Sequence, residues 1–209
     1  MQSTTQRVAR PLPSLAGLGL AAPGEAVYLD IETTGFYARS GDLVTLVGLV
    51  YGDGPERVLE QYFATAPAAE RAVLQAAARR LREFRLALTW NGDAFDLPFL
   101  SARAEAQGLA WPALASADLL PVCRRWNYQT RTLPNCRLQT VMAHFRLGRA
   151  DSHGGGEMVE AYWRWVEAGD PADRDLILAH NADDLLLLPD LVPYLAPPPA
   201  TDSTRAGGA

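Results

Sequence analysis

Two acidic residues, Asp30 and Glu32, stand close together in an apolar segment that has the pattern of a short β-strand. Side chains alternate between the two faces of a strand, so both carboxylates point to the same side. Adjacent carboxylates repel each other unless a cation lies between them. The segment ends in Thr33-Thr34-Gly35, small residues that let a substrate backbone come close. An isolated Asp-x-Glu is more often a solvated strand end, but this longer pattern indicates a metal site.

A further carboxylate, Asp96, follows the point where a later apolar strand ends, in a segment that reads NGDAFD over residues 91–96. Pro98 suits the first turn of a helix, so Asp96 is expected at a helix N-terminus, where the helix dipole favours an ionised carboxylate. Ligands of α/β folds usually bind at such strand ends. The alternative for Asp96 is a plain helix-capping role.

The last helical segment contains His180 and Asp184, which are four residues apart and therefore share one helical face. Asp183 lies slightly off that face and is the alternative acidic residue. Four leucines follow, so this part of the helix is expected to be mostly buried. A buried His beside buried carboxylates is a candidate functional group. An ordinary ion pair on a surface helix is the alternative.

Four carboxylates from three separate segments, Asp30, Glu32, Asp96 and Asp184, match the pattern for two-metal hydrolysis of phosphodiester bonds. In that chemistry two cations about 3.5–4 Å apart activate the attacking water and stabilise charge on the attacking and leaving oxygens. A ligand set made only of oxygen favours Mg²⁺ or Mn²⁺ over Zn²⁺. We therefore expect two Mg²⁺ or Mn²⁺ ions as cofactors.

The elements that must position these residues follow from apolar patterning. Strands are predicted over residues 27–31, 43–51, 57–63 and 86–90, and an amphipathic helix over 67–84. Further helices are predicted at about 97–107, 119–126, 137–147, 157–168 and 171–188, the last with Asp170 as its N-cap. Strands followed by helices predict an α/β domain with a mixed sheet flanked by helices. We expect this domain to span residues 24–195, with flexible tails at 1–23 and 196–209.

Composition narrows the class of protein further. The 209 residues, 48% of them hydrophobic and 21% charged, suit one globular domain. No apolar run approaches the ~20 residues that span a bilayer, so we expect no membrane partner. A cytoplasmic location is expected, with Cys123 and Cys136 as reduced thiols. The net charge of −5 argues weakly against a general nucleic-acid binder, although carboxylates gathered around cations enter this count as negative.

The three motifs, in this order, resemble those of the DEDD (DnaQ-like) 3′→5′ exonuclease superfamily, which has a ribonuclease H-like fold. The sequence is most similar to the YprB-like branch, over about residues 26–195. Segments 116–120, reading SADLL, and 133–138, reading LPNCRL, add to the likeness. The resemblance implies a ribonuclease H-like mixed sheet.

The same resemblance implies a role for each acidic residue. Asp30 and Glu32 correspond to the first two metal ligands, Asp96 to the third and Asp184 to the fourth, and His180 stands at the position of the general base. One feature departs from the superfamily pattern, which has either Tyr four residues before the last Asp or His five residues before it. His180 is four residues before Asp184, so the chain combines the residue of one class with the spacing of the other.

Arginines alternate with aromatic residues after position 123. Single strands bind through backbone charge and base stacking, so we predict substrate contacts from Arg124, Arg125 and Trp126. The structural alternative places Trp126 in the core and the arginines in solvent. Substrate contacts are also expected from the two motif turns, through Thr33, Thr34, Gly35, Asn91 and Phe95.

The motifs by themselves indicate a metal-dependent hydrolase of phosphodiester bonds. The resemblance further implies a 3′→5′ exonuclease that releases 5′-monophosphates from single-stranded DNA or RNA. Two alternatives stay open: a structure-selective endonuclease using the same site, and a catalytically weak nucleic-acid-binding module. The four carboxylates argue against the binding module, which has no reason to keep so much repulsive charge together. No sequence feature distinguishes DNA from RNA as the substrate.

Overall fold

Six β-strands and six α-helices form the part of the chain that the computed structural model describes, residues 1–20, 23–148 and 153–196. The strands are β1 (Gln2–Val8), β2 (Ala26–Thr33), β3 (Val44–Asp53), β4 (Glu56–Phe63), β5 (Leu86–Thr89) and β6 (Ala115–Asp118). The helices are α1 (Glu70–Leu81), α2 (Asp96–Ala106), α3 (Leu119–Thr130), α4 (Leu138–His144), α5 (Gly155–Ala168) and α6 (Pro171–Leu195).

All six strands belong to one mixed sheet with the order β1-β4-β3-β2-β5-β6. The central strand β2 pairs antiparallel with β3 and parallel with β5, and β6 pairs parallel with β5. β4 and β1 extend the sheet beyond β3 with antiparallel pairing. Because β2, β5 and β6 run in the same direction, their C-terminal ends lie along one edge of the sheet.

Helices cover both faces of this sheet. Leu29 and Ile31 of β2 belong to an apolar cluster with α1 and α2. Tyr28, on the other face, belongs to a cluster with α3, α4 and α6. Asp30 and Glu32 continue this second face by the alternation of the strand, and so they face the layer that contains α6. The predicted α/β architecture, a mixed sheet flanked by helices, is confirmed.

The N-terminal segment departs from the prediction of a flexible tail. That prediction is wrong for β1, which pairs with β4 over its whole length, from Gln2 beside Phe63 to Val8 beside Arg57. β1 is an edge strand whose side chains are half-buried or exposed. Its sequence is therefore mostly polar and lacks the alternation of apolar and polar residues by which a half-buried strand is recognised. β6 was missed for a related reason, because its four residues include no large apolar side chain.

The last helix is longer than predicted. Asp170 is its N-cap, as expected, but the helix continues past residue 188 to Leu195 and includes Pro189. A proline removes one backbone hydrogen bond from a helix, so Pro189 is an unfavourable residue in the interior of one. Arg57 of β4, only 2% exposed, pairs with Asp190 at 2.6 Å and ties this stretch of helix to the sheet.

Parts of both predicted tails, residues 21–22 and 197–209, lie outside the described residues. Within the described ranges, no helix has both the length and the apolar character needed to cross a membrane.

Candidate active site

A cavity of about 770 Å³ opens at the sheet edge where β2 and β5 end. Its walls include every residue on which the sequence placed the chemistry: Asp30, Glu32, Asp96, His180 and Asp184. These residues come from β2, from the first turn of α2 and from α6. The fold thus brings together side chains from three distant parts of the sequence. Asp183, the alternative to Asp184, does not line this cavity.

Asp96 is the first residue of α2 and is only 4% exposed. Its Oδ1 accepts a hydrogen bond from the backbone N–H of Ile31 at 3.1 Å, so β2 holds the carboxylate of the second motif. Burial raises the pKa of Asp96 to about 7, against the lowering effect of hydrogen bonds from its own N–H and that of Ile31. The charge of Asp118 contributes to the rise. A cation beside this carboxyl would favour its ionised form.

The turn that leads into Asp96 is fixed by Asp118, at the end of β6. The Oδ1 of Asp118 accepts the N–H of Asn91 at 2.8 Å, and Asn91 has a positive φ of 69°. The turn also requires glycine at position 92, because a Cβ there would lie only 2.4 Å from Cβ of Thr89. Asp118 also caps α3. The sequence offered no direct sign that this residue supports the second motif, beyond the family likeness of segment 116–120.

His180 lies between two of the acidic residues and is 5% exposed. Its Nε2 is 3.8 Å from Oε1 of Glu32 and 3.9 Å from Oδ2 of Asp184. Both distances exceed those of a direct hydrogen bond and lie within the range of an ion pair. The helical spacing of His180 and Asp184 therefore brings both side chains to the same side of α6, where both line the cavity.

Asp30 also contacts α6, through the residue next to His180. Nδ2 of Asn181 donates a hydrogen bond to Oδ2 of Asp30 at 2.8 Å, and Asn181 is fully buried. Two successive residues of α6 thus approach the two carboxylates of β2, with Asn181 at Asp30 and His180 near Glu32.

The donor set fits a hard divalent cation by its chemistry. Four carboxylates face one cavity, and two of them, Glu32 and Asp96, are less than a tenth exposed. Buried carboxylates in such proximity are unfavourable unless positive charge is supplied. Among the described residues, no three His, Cys, Asp or Glu side chains already converge into a ready-made cation site.

Comparison with known proteins identifies the family. A model of the RNase_H superfamily matches residues 27–196 of the chain. The chain belongs to the RNase_H superfamily. No protein in a search of curated sequences matches it. A family B DNA polymerase from the hyperthermophilic archaeon Pyrobaculum calidifontis is similar in structure, with a TM-score of 0.58 and 21% identity. That match covers 84% of this chain and only 25% of the polymerase chain, and it supports the fold alone.

Five of the eight residues predicted to bind substrate line the cavity of this RNase_H superfamily protein: Thr33, Gly35, Asn91, Phe95 and Arg124. Among the described residues, the other three stay outside it. Thr34 instead accepts the N–H of Leu43 at 2.8 Å. Arg125 is exposed on another side of α3, because successive helical residues point about 100° apart. Trp126 is half-buried and packs against the rings of His144 and Phe145.

The cavity walls also include Phe36 and Gln139, which the sequence did not single out, and Arg137, which continues the arginine-rich segment that begins at Arg124. Phe36 is 76% exposed and its ring centroid lies 6.0 Å from that of Phe95. An aromatic residue directly after Thr-Thr-Gly was the available signal. The loop that contains Phe36 is anchored by Arg103, which donates to the carbonyl of Ala38 at 3.2 Å and pairs with buried Glu70 at 2.7 Å.

Asp96→Asn is expected to flatten the pH dependence of stability in chelator-treated protein. The folded state favours the protonated carboxyl of Asp96, because its pKa is raised to about 7, while the unfolded chain ionises it near its ordinary value. Wild-type stability therefore falls as pH rises from about 4 to 7, and a neutral Asn escapes this loss. At about 1.4 kcal/mol per pH unit, the variant gains on the order of 3 kcal/mol over wild type.

Urea unfolding of both proteins across this pH range measures the effect. Glu105→Gln, which removes an exposed carboxylate from the same helix, is the control and should parallel wild type. Parallel curves for wild type and Asp96→Asn would contradict the raised pKa.

Proposed function

We propose that this protein is a two-metal-ion nuclease, a 3′→5′ exonuclease that acts on single-stranded nucleic acid. The observation that carries the proposal is the convergence of Asp30, Glu32, Asp96 and Asp184, with His180 among them, in one cavity at the sheet edge. Membership of the RNase_H superfamily supports nuclease activity. The exonuclease mode, the polarity and the DEDD, YprB-like branch come from the sequence resemblance.

Two Mg²⁺ or Mn²⁺ ions would be held by Asp30, Glu32, Asp96 and Asp184. When bound, such cations supply an activated water and stabilise the charge on the attacking and leaving oxygens of a phosphodiester. The protein's own part is to hold the carboxylates in place before substrate arrives. The N–H of Ile31 holds Asp96 and the amide of Asn181 holds Asp30.

His180 is the proposed general base. A neutral imidazole nitrogen can accept a proton from water near neutral pH. Its Nε2 lies 3.8 Å from Glu32 and 3.9 Å from Asp184, so it is next to the carboxylates at which the attacking water would be activated. The ring is only 5% exposed and lines the cavity that would receive the substrate.

The cavity walls also carry groups suited to a single strand. Arg124 and Arg137 supply positive charge for phosphate, while Phe36 and Phe95 supply aromatic faces for bases. An unpaired base can reach an exposed ring such as Phe36, whereas a base inside a duplex is covered by its neighbours in the stack. These features favour an unpaired DNA or RNA end as the substrate.

Asp30→Asn is expected to abolish metal-dependent degradation of a labelled oligonucleotide. Asn keeps the shape of the side chain but loses the charge that a divalent cation requires. Stability without metal should stay the same or rise, because repulsion with Glu32 is removed. Degradation and thermal unfolding are measured in parallel, with Glu105→Gln as the control. An Asp30→Asn protein with near wild-type activity would refute the two-metal proposal. A metal-saturated wild type that binds strands without cleaving them would indicate a binding module instead.

His180→Ala is expected to lower turnover by ~10²–10⁴-fold while metal affinity changes little, as for loss of a general base. The acidic limb of the pH–rate profile should move or flatten. His144→Ala, which removes an exposed imidazole outside the cavity, is the matched control. Turnover within a few-fold of wild type, with the same pH profile, would show that His180 does not act as the base.

Arg124→Ala is expected to weaken binding of a single strand and to reduce the slope of log affinity against log salt by about 1, with turnover at saturation little changed. Arg125→Ala, one position along and outside the cavity, should alter the slope less. Arg79→Ala, exposed on α1 across the sheet, should leave it unaltered. Affinities at several salt concentrations measure these slopes. Equal slopes for Arg124→Ala and wild type would place the phosphate path elsewhere.

A further inference from the structure

Asn181 lies between His180 and Asp184 in the sequence, and its only part in the proposed chemistry is the hydrogen bond that it donates to Asp30. Asn181 directly follows His180 in α6, and its polar side chain is fully buried. Both ends of its amide are used: Nδ2 donates to Oδ2 of Asp30 at 2.8 Å, and Oδ1 accepts from Nε2 of Gln61 at 2.9 Å. A buried amide with two fixed partners has a defined orientation, unlike one that faces solvent.

The direction of these hydrogen bonds is set by a backbone carbonyl. Nε2 of Gln61 also donates to the carbonyl oxygen of Leu178 at 2.8 Å, and a carbonyl can only accept. The nitrogen of Gln61 must therefore face α6, and its second hydrogen must meet the oxygen of Asn181. Asn181 is then obliged to present its NH₂ group, a donor, to Asp30. Oε1 of Gln61 in turn accepts from the hydroxyl of Thr4 in β1 at 3.3 Å.

The register of the sheet makes this arrangement possible. Asp30 in β2 lies opposite Gly48 in β3, which lies opposite Gln61 in β4. Gly48 leaves the space in which the Asn181 side chain sits, because a Cβ at this position would lie 2.1 Å from Oδ1 of Asn181. The amide of Asn181 thus lies across the middle strand and joins Gln61 to Asp30.

We propose that Asn181 is a positioning residue that fixes the orientation of the Asp30 carboxylate, and that Gln61 fixes the polarity of the Asn181 amide. With Oδ2 of Asp30 held by Asn181, the direction of the other oxygen is also fixed. This inference rests on the proposed function, because the benefit of a fixed carboxylate is tighter binding of a divalent cation. Partners of this kind, one step removed from a metal, change metal affinity or activity by about 10–100-fold when they are lost.

The test is a double-mutant cycle on Mn²⁺ affinity, measured by titration of the metal-free protein. Asn181→Ala should weaken Mn²⁺ binding by about 10–100-fold. Gln61→Ala should weaken it less, since Asn181 keeps its contact with Asp30 but loses its fixed polarity. The double variant should bind no more weakly than Asn181→Ala, because Gln61 acts only through Asn181. Gln75→Ala, exposed on α1, is the matched control and should bind as wild type does.

Turnover provides a second readout that a purely structural role would not move. In Asn181→Ala the Mn²⁺ concentration for half-maximal turnover should rise, and saturating Mn²⁺ should restore most of kcat with KM for the oligonucleotide unchanged. Circular dichroism of the metal-free variants verifies folding. Should Asn181→Ala not fold, Gln61→Ala decides the question by its own Mn²⁺ affinity.

Several results would overturn the inference. A folded Asn181→Ala protein that binds Mn²⁺ within two-fold of wild type refutes a positioning role for Asn181. Losses that add fully in the double variant, or a folded Gln61→Ala protein with wild-type affinity, refute the part assigned to Gln61. A wild type that binds no Mn²⁺ overturns the proposed function itself and this inference with it. The first two failures leave the proposed function intact, so the two claims are separable.

Discussion

Electrostatic repulsion among carboxylates gathered at one end of a sheet is the constraint on which the rest of this structure depends. Side chains that would each prefer water are held close together, and two of them are nearly buried. The protein offsets this cost with donors that are themselves fixed. A backbone N–H of β2 donates to Asp96, and the side-chain amide of Asn181 donates to Asp30. These hydrogen bonds leave the carboxylates negatively charged, and a divalent cation would neutralise that charge.

The topology of the sheet determines which strands and helices bring the carboxylates and their partners together. Parallel pairing of β2 with β5 brings Asp30, Glu32 and the start of α2 to one edge. α6 crosses the same face, and its spacing supplies His180 and Asp184 together. Two strands that do not line the cavity contribute through intermediate side chains. β6 fixes the turn before α2 through Asp118, and β4 reaches the site through Gln61 and Asn181.

Much of this arrangement could be predicted from the sequence because it depends on local spacing. The alternation of β2 predicts that Asp30 and Glu32 share a face, and helical periodicity predicts the same for His180 and Asp184. β1 was not predicted because an edge strand needs no apolar alternation. α6 was predicted too short, and the ion pair of Arg57 with Asp190 that ties its last turns to the sheet joins residues that are distant in sequence. The role of Asn181 was also out of reach, because it depends on the register that places Gly48 between Asp30 and Gln61.

The most direct test of the central claim is digestion of single DNA and RNA strands labelled at the 5′ end or at the 3′ end, with Mg²⁺ or Mn²⁺ and with a chelator. The metal-loaded protein should shorten the 5′-labelled strand one nucleotide at a time, and it should release labelled mononucleotide from the 3′-labelled strand at once. The chelator should stop both reactions. Internal cleavage from the outset would contradict the exonuclease mode, and metal-independent cleavage or none would contradict the assignment of the four carboxylates.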